Sequence, residues 1–355
     1  MLDPREQKLA KLLVDYSIKV KRVYIININT GVEAKTLIQE ICKNILLKGA
    51  TPKIDVDMPG FAYTYFKYAQ QNVLEQFPKI AEFEAKEAAG YIGIYCNRNT
   101  KELSGTDPKK TALRRRITKP ISELQLKKDN WVIFDYPTDA LAQDAEMSLG
   151  EFEDFVYGAC LVDYHKLDLL ETKQKKILDK GGEVRIVAPN TDLRFSIAGR
   201  TGIKCLGNRN MPDGEVFIAP VETTTEGFIE YDFPGIYGGR EVDGIRLVFK
   251  NGKVVKATAK KNEHFLHQML EIDKGAKYLG EFGWGDNFGI KKFVKQILFD
   301  EKIGGTIHLA LGMAYKEGGG KNDSALHWDM IKDLRTQGTL FIDGKAVMKD
   351  GKFLF

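Results

Sequence analysis

Cysteine is scarce and dispersed in this chain. The four residues, Cys42, Cys96, Cys160 and Cys205, form no Cys-x-x-Cys pair, which excludes a zinc knuckle and a dithiol redox motif. Scattered thiols fit reduced core residues of a cytoplasmic protein. Long apolar runs are also missing: no segment approaches the ~20 residues that a membrane helix requires. The N-terminal MLDPREQKLAKLL is charged and lacks the apolar stretch of a signal peptide. A strong charge of one sign is absent too. Lys and Arg number 53 against 49 Asp and Glu, a net of +4, too even a balance to draw nucleic acid or anionic lipid. The sequence thus predicts a cytoplasmic location and neither nucleic acid nor membrane as partner. It also lacks internal repeats and low-complexity segments.

What is present is ordinary globular composition. Over 355 residues, 43% are hydrophobic and 29% charged, enough for a normal core without a disulfide or metal staple. The length suits two domains. In the first half, helix and strand patterns alternate. Leu9, Leu12, Leu13 and Tyr16 recur at helical spacing, 23–29 reads as a buried strand, and 32–48 reads as a helix stopped by Gly49. Strand-like runs follow at 53–57, 91–95 and 131–135. This alternation predicts an α/β domain with a mainly parallel sheet over residues 1–185.

The pattern changes from about residue 185. Short strands joined by Gly, Asn and Asp turns dominate residues 186–355, and FKNGKVV carries the Asn-Gly signature of a tight hairpin. Helical stretches are expected at 260–272 and 290–299. The second half is therefore read as an α+β domain with a largely antiparallel sheet.

Candidate chemistry concentrates in that half. In TIHLALGM, strand alternation places His308 on a face with Ala310 and Gly312, which leaves space before the imidazole. In ALHWDMI, His327 and Asp329 share one face while Leu326, Trp328 and Met330 share the other. In LGEFGWGDN, Glu281 lies with Gly283 and Gly285, opposite Phe282 and Trp284, as if beside a cleared cavity. Glu215 follows an Asp-Gly turn and begins a strand with Val216 and Ile218. Taken singly, His308 reads as a core histidine and Glu215 as a solvated charge, whereas His327 with Asp329 reads equally as a surface pair or a ligand pair. Together, three carboxylates and two imidazoles form a natural ligand set for two divalent cations, with Zn, Co or Mn favoured by mixed oxygen and nitrogen donors.

At these residues the chain resembles the aminopeptidase T, AmpS and PepS family of metallopeptidases, M29. The matching text is RNMPDGEVFIAP, LGEFGWGDN, DEKIGGTIHLALGMAY and GGGKNDSALHWDMI, in the family's order, with weaker matches in LLVDYSIKV and YPTDALAQDAEMSLGEFEDFVYGAC. The resemblance implies a two-metal aminopeptidase acting on peptide substrates, a homodimer with its active site facing a large cavity, and metal ligands at Glu215, Glu281, His308, His327 and Asp329. It adds Tyr315, the tyrosine that follows the first histidine, near the metals. Glu281, free between glycines, is the expected bridging ligand, and Tyr315 the expected oxyanion partner. The chain departs from the pattern in a trimmed N-terminal region and a compact stretch between His308 and His327, where Gly318, Gly319 and Gly320 read as mobile. Two rivals stay open: hydrolysis of another amide or ester at the same metals, and a catalytically retired binding protein.

Other signals carry less. His264 and His267 are three apart on a predicted helix but lack the Glu of a His-Glu-x-x-His motif, and His165 has no visible partner. GGGKNDS fails the phosphate-loop pattern at Asn322. The basic run 108–119 lacks the interleaved aromatics of a nucleic-acid surface and reads as a solvated helix face or as a patch that draws peptide carboxylates.

Overall fold

The structure, a computed structural model, describes residues 3–355. The chain forms two compact units. The first takes in the N-terminal residues to Leu161 together with Gly207–Pro212, and the second comprises Val162–Leu206 and Asp213–Phe355.

The first unit is built on a five-stranded parallel sheet in the order Thr51–Asp57, Ile25–Gly31, Gly90–Tyr95, Trp131–Asp135, Asn210–Met211. The inner strands carry Ile26, Ile28, Ile92, Ile94, Val132 and Phe134, all buried, the near-continuous apolar usage of strands covered by crossover helices. The first strand starts at Ile25 rather than at residue 23, because Val23 turns into a left-handed conformation (φ 63°) and donates its N–H to Gly49 O. Gly49 itself is left-handed (φ 71°) just past helix Lys35–Leu47, which is why that helix stops there. Helix Leu149–Cys160 opens with a Ser148–Glu151 capping box. The basic run lies on helix Pro108–Lys127. Two of its charges do not simply face water: Lys110 and Arg114 donate to Phe66 O (2.9 Å) and Gln76 O (2.6 Å), carbonyls at the ends of short neighbouring helices.

The second unit holds two large antiparallel sheets and a small two-stranded one, Gly235–Tyr237 with Arg240–Val242. One large sheet has eight strands, in the order Lys253–Thr258, Arg246–Lys250, Glu226–Glu230, Thr191–Ser196, Glu183–Ala188, Thr339–Ile342, Lys345–Lys349, Lys352–Phe353. The other has five: His327–Asp333, Thr306–Gly312, Leu279–Gly285, Glu215–Ile218, Ile203–Cys205. Their inner faces share one core. Leu193, Phe195, Ile229, Leu247 and Leu340 from the larger sheet join Val216, Ile218, Phe282, Trp284, Leu309, Leu311, Trp328 and Met330 from the smaller. The Phe195 and Phe282 rings meet edge-on at 5.5 Å. The expected α/β and α+β classes are both present.

The division between units falls at Leu161/Val162 rather than at residue 185. Helix Tyr164–Lys180 packs on the strands Ile203–Cys205 and Glu215–Ile218, and its Leu178 enters the second unit's core. Periodicity alone assigns such a helix to the α/β run that precedes it. The helix expected at 290–299 shrinks to Ile297–Asp300. Lys295 is left-handed (φ 62°), and the buried Asp300 side chain accepts the Val294 N–H at 2.7 Å, so this backbone is satisfied without helical bonds. The helix expected at 260–272 runs from Glu263 to Leu270.

The Asn-Gly hairpin forms as read. Lys250 pairs with Lys253, and Asn251 and Gly252 take φ values of 50° and 81°, the double left-handed turn that suits twisted strands. A Cβ on Gly252 would lie 1.9 Å from Glu222 O. Gly252→Ala is expected to cost roughly 1–3 kcal/mol. Gly158→Ala, at an exposed helical position with open space around it, should instead stabilise by about 0.5–1 kcal/mol. Urea unfolding midpoints check both, and equal midpoints for the two variants would contradict this reading of the hairpin.

Candidate metal centre

One face of the five-stranded sheet builds the core. The other face gathers the chemistry, because alternation along each strand sends every second side chain there. Glu281 and Asp329 both pair with Ala310, from opposite sides. His308 pairs with Gly283, His327 with Gly312, and Glu215 with Gly285. Each large polar side chain thus has a small residue as its cross-strand neighbour. The space beside Gly283 is not an empty cavity: it is filled by the His308 ring. A Cβ on Gly283 would sit 1.9 Å from His308 Cε1 and 2.0 Å from Nε2. Gly285 lets the backbone of Lys302 and Ile303 come close, with Ile303 O 2.3 Å from where a Cβ would stand.

The sequence-selected residues converge into two overlapping trios, Glu215/Glu281/His308 and Glu281/His327/Asp329. In each, one donor atom per residue lies within 4.8 Å of the others. His308 Nε2 is 3.1 Å from Glu281 Oε1 and 3.2 Å from Glu215 Oε2. His327 Nε2 is 3.4 Å from Asp329 Oδ2. The other ring nitrogens are fixed by backbone carbonyls: His308 Nδ1 donates to Glu301 O and His327 Nδ1 to Met313 O, both at 2.9 Å. A carbonyl only accepts, so both rings carry hydrogen on Nδ1 and aim Nε2 at the carboxylates, the orientation of a metal-ligating histidine.

The site is buried and rich in acceptors. His308 is fully buried, and Glu215 and Glu281 nearly so. Burial pushes the Glu215 and Glu281 carboxyls above their usual range, opposed by Lys302 and His308. Burial disfavours the charged imidazoles, yet the surrounding carboxylates prevail and raise His308 and His327 to about 10. Desolvation acts on the nearly buried Asp329 as well, but His327, His308 and Lys302 pull it down to about 2. Even so, Glu281 Oε2 and Asp329 Oδ1 have no hydrogen-bond partner among the described residues, and Glu215 Oε2 has only its 3.2 Å ion pair with His308. Buried acceptors in this state are costly, and a divalent cation satisfies them. The mixture of carboxylates and imidazole Nε2 atoms therefore fits a divalent metal.

Tyr315 follows the His308 strand. Its half-exposed ring lies 5.4 Å from the His327 ring and 5.5 Å from Phe217. Burial of its hydroxyl and the field of Glu281, Asp329, Glu301 and Glu215 push the phenol up, so it stays an O–H donor. The triglycine stretch is packed rather than loose. Gly318 O accepts the Thr201 N–H at 3.1 Å, and Gly320 lies against Ala314 and Ala219 with no room for a Cβ. His165, His264 and His267 are exposed on helices outside the trios.

Sequence reasoning missed several participants. Lys302 is wholly buried, paired with Glu301 and 3.7 Å from Glu215 Oε1. Glu301 is also drawn upward by burial, with Lys302, Asp329 and His308 around it. Behind Glu215, Gln174 donates to Asp286 Oδ1 at 2.6 Å, and Glu171 is pushed up to about 11 by burial and by Asp286, Asp213 and Glu215. The signal available was the charged DEK triplet, separated by Ile303 from Gly304-Gly305 just upstream of His308; for Glu171, on a helix 44 positions before Glu215, there was none.

Gly283→Ala is expected to displace the His308 ring and lower stability by roughly 1–3 kcal/mol. An unchanged unfolding midpoint, with an unchanged His308 imidazole resonance, would contradict the packing described.

The family model for "Thermophilic metalloprotease (M29)" matches residues 2–353. Aminopeptidase 2 of Geobacillus stearothermophilus is 26% identical over 97% of this chain and 94% of that protein. Aminopeptidase AmpS of Bacillus subtilis is 25% identical over the full length of both. The solved structure of wild-type AmpT from Thermus thermophilus superposes with a TM-score of 0.86 at 21% identity, covering 99% of each chain, a likeness of fold. With the family model spanning nearly every residue, the chain belongs to the M29 metalloproteases.

Proposed function

We propose that the protein is an aminopeptidase that releases N-terminal amino acids from peptides, with Glu215, Glu281, His308, His327 and Asp329 holding two divalent cations, Zn, Co or Mn. The observation that carries the two-cation reading is that Glu281 belongs to both trios. One carboxylate shared by two donor sets is the arrangement of a bridging ligand in a cocatalytic centre. The peptide substrate follows from membership of a metalloprotease family whose full-length relatives include aminopeptidases.

When bound, a divalent pair supplies Lewis acidity at the scissile carbonyl and at the attacking water. The protein's own residues do the rest. His308 and His327 hold Nε2 in place because their Nδ1 atoms are committed to Glu301 O and Met313 O. Lys302 secures Glu215 from behind. Glu301, whose carboxyl is raised by burial and lies outside both trios, takes the proton of the attacking water and returns it to the departing amine. Tyr315 donates its O–H to the oxyanion. The reading includes a homodimer, and a cytoplasmic location in keeping with four free thiols.

Chelator-stripped protein is expected to hydrolyse aminoacyl-p-nitroanilides only after Zn, Co or Mn is restored, and only when the substrate amine is free. Glu281→Gln should abolish that turnover while the fold, followed by circular dichroism, stays intact. Wild-type rates in this variant, or preference for N-blocked substrates, would sink the aminopeptidase assignment.

Metal uptake should also release protons. With both imidazoles near 10, each holds a proton on Nε2 at neutral pH, and a cation must displace it. Affinity should therefore rise with pH through the neutral range. Calorimetric titration in buffers of different ionisation enthalpy reads the released protons directly, and no release at pH 7 would contradict the ligand assignment.

A further inference from the structure

We propose that a third divalent cation, of the zinc or cobalt type, binds behind Glu215, held by Cys205, Asp213, Glu215 and Glu171. The site shares Glu215 with the proposed catalytic centre and rests on that reading only through this ligand.

The strand Ile203–Cys205 lies at the sheet edge, beside the Glu215 strand, and Cys205 pairs with Glu215. Asp213 precedes Glu215 across the Gly214 turn. Cys205 Sγ and one oxygen each from Asp213 and Glu215 lie within 4.8 Å of one another. An independent residue points to the same place from the helix Tyr164–Lys180. Glu171 is fully buried, and its Oε2 accepts the Cys205 N–H at 3.1 Å. Its Oε1 has no hydrogen-bond partner among the described residues. Asp213, Glu215 and the Cys205 thiol all feel its carboxyl. A buried carboxyl oxygen without a hydrogen-bond partner is costly, and here it stands beside a thiol and two further carboxyls, all groups that ligate divalent metals.

The chemistry of the donors selects the ion. Mg and Ca take oxygen ligands alone, whereas one sulfur with three carboxylates suits Zn or Co, and four protein donors suit a closed tetrahedral site. The Cys205 thiol and the Glu171 carboxyl, both pushed up by burial and by the neighbouring acids, each give a proton to solvent on binding, as metal ligands must. Bound there, the ion ties the helix to the edge strand and its neighbour and fixes Glu215. Lys302, 3.7 Å from Glu215 Oε1, offsets part of the same negative charge but offers no contact to the orphaned Glu171 oxygen.

Full-length protein, stripped with chelator and titrated with cobalt(II), tests this. The wild type should develop a near-ultraviolet thiolate-to-cobalt charge-transfer band and bind one more cobalt per chain than Cys205→Ala, which should lack the band. Glu171→Gln keeps the thiol and should need more cobalt to reach the same band. Folded wild-type protein that binds cobalt without the band would overturn the proposal. So would a band that persists undiminished in Cys205→Ala, because it would belong to another thiol. Peptidase activity separates the two readings: an active enzyme without the band defeats only the third cation, and the band in an inactive enzyme defeats only the aminopeptidase.

Discussion

Carboxylates crowded on one dry sheet face are the constraint that organises this protein. Glu215, Glu281 and Asp329 lie together there, with Glu301 above and Glu171, Asp213 and Asp286 behind. Buried negative charge is costly unless paired. Every neighbouring device answers that cost. Two imidazoles turn Nε2 inward because carbonyls claim their other nitrogens, Lys302 is buried without solvent contact, and Gln174 turns its amide onto Asp286. Two carboxylate oxygens of the trios, Glu281 Oε2 and Asp329 Oδ1, still have no hydrogen-bond partner among the described residues, a deficit that a divalent cation meets.

Holding such a cluster requires a rigid support, and the sandwich provides it. The inner face of the five-stranded sheet is committed to Phe282, Trp284, Leu309, Leu311 and Trp328, so the strands cannot slip register without exposing the core. Register in turn sets which residues face each other across the outer surface. A one-residue slip would place a large side chain against His308 in place of Gly283. The packing of the core and the placement of the polar cluster are thus one constraint read from two faces.

The legibility of the molecule in its sequence divides along physical lines. Strand alternation is local, and it selected Glu215, Glu281, His308, His327 and Asp329 as outward-facing residues. The Asn251-Gly252 hairpin and the stop at Gly49 were equally plain, because positive φ demands particular residues. Where backbone bonds were satisfied by a distant or buried side chain, as at Asp300, local pattern misread a loop as helix. The triglycine read as mobile is packed because Thr201 and Ala219, far away in sequence, close on it.

The sequence by itself determined the fold classes, the turn positions and the donor types, since these follow from short-range periodicity and residue chemistry. Only the tertiary structure decided that helix Tyr164–Lys180 belongs with the second unit, that the glycine beside Glu281 makes room for an imidazole from the next strand, and that Lys302, Glu301 and Glu171 join the site. Those outcomes depend on cross-strand register and helix-on-sheet packing, which bring together residues separated by tens of positions and leave no trace in local spacing.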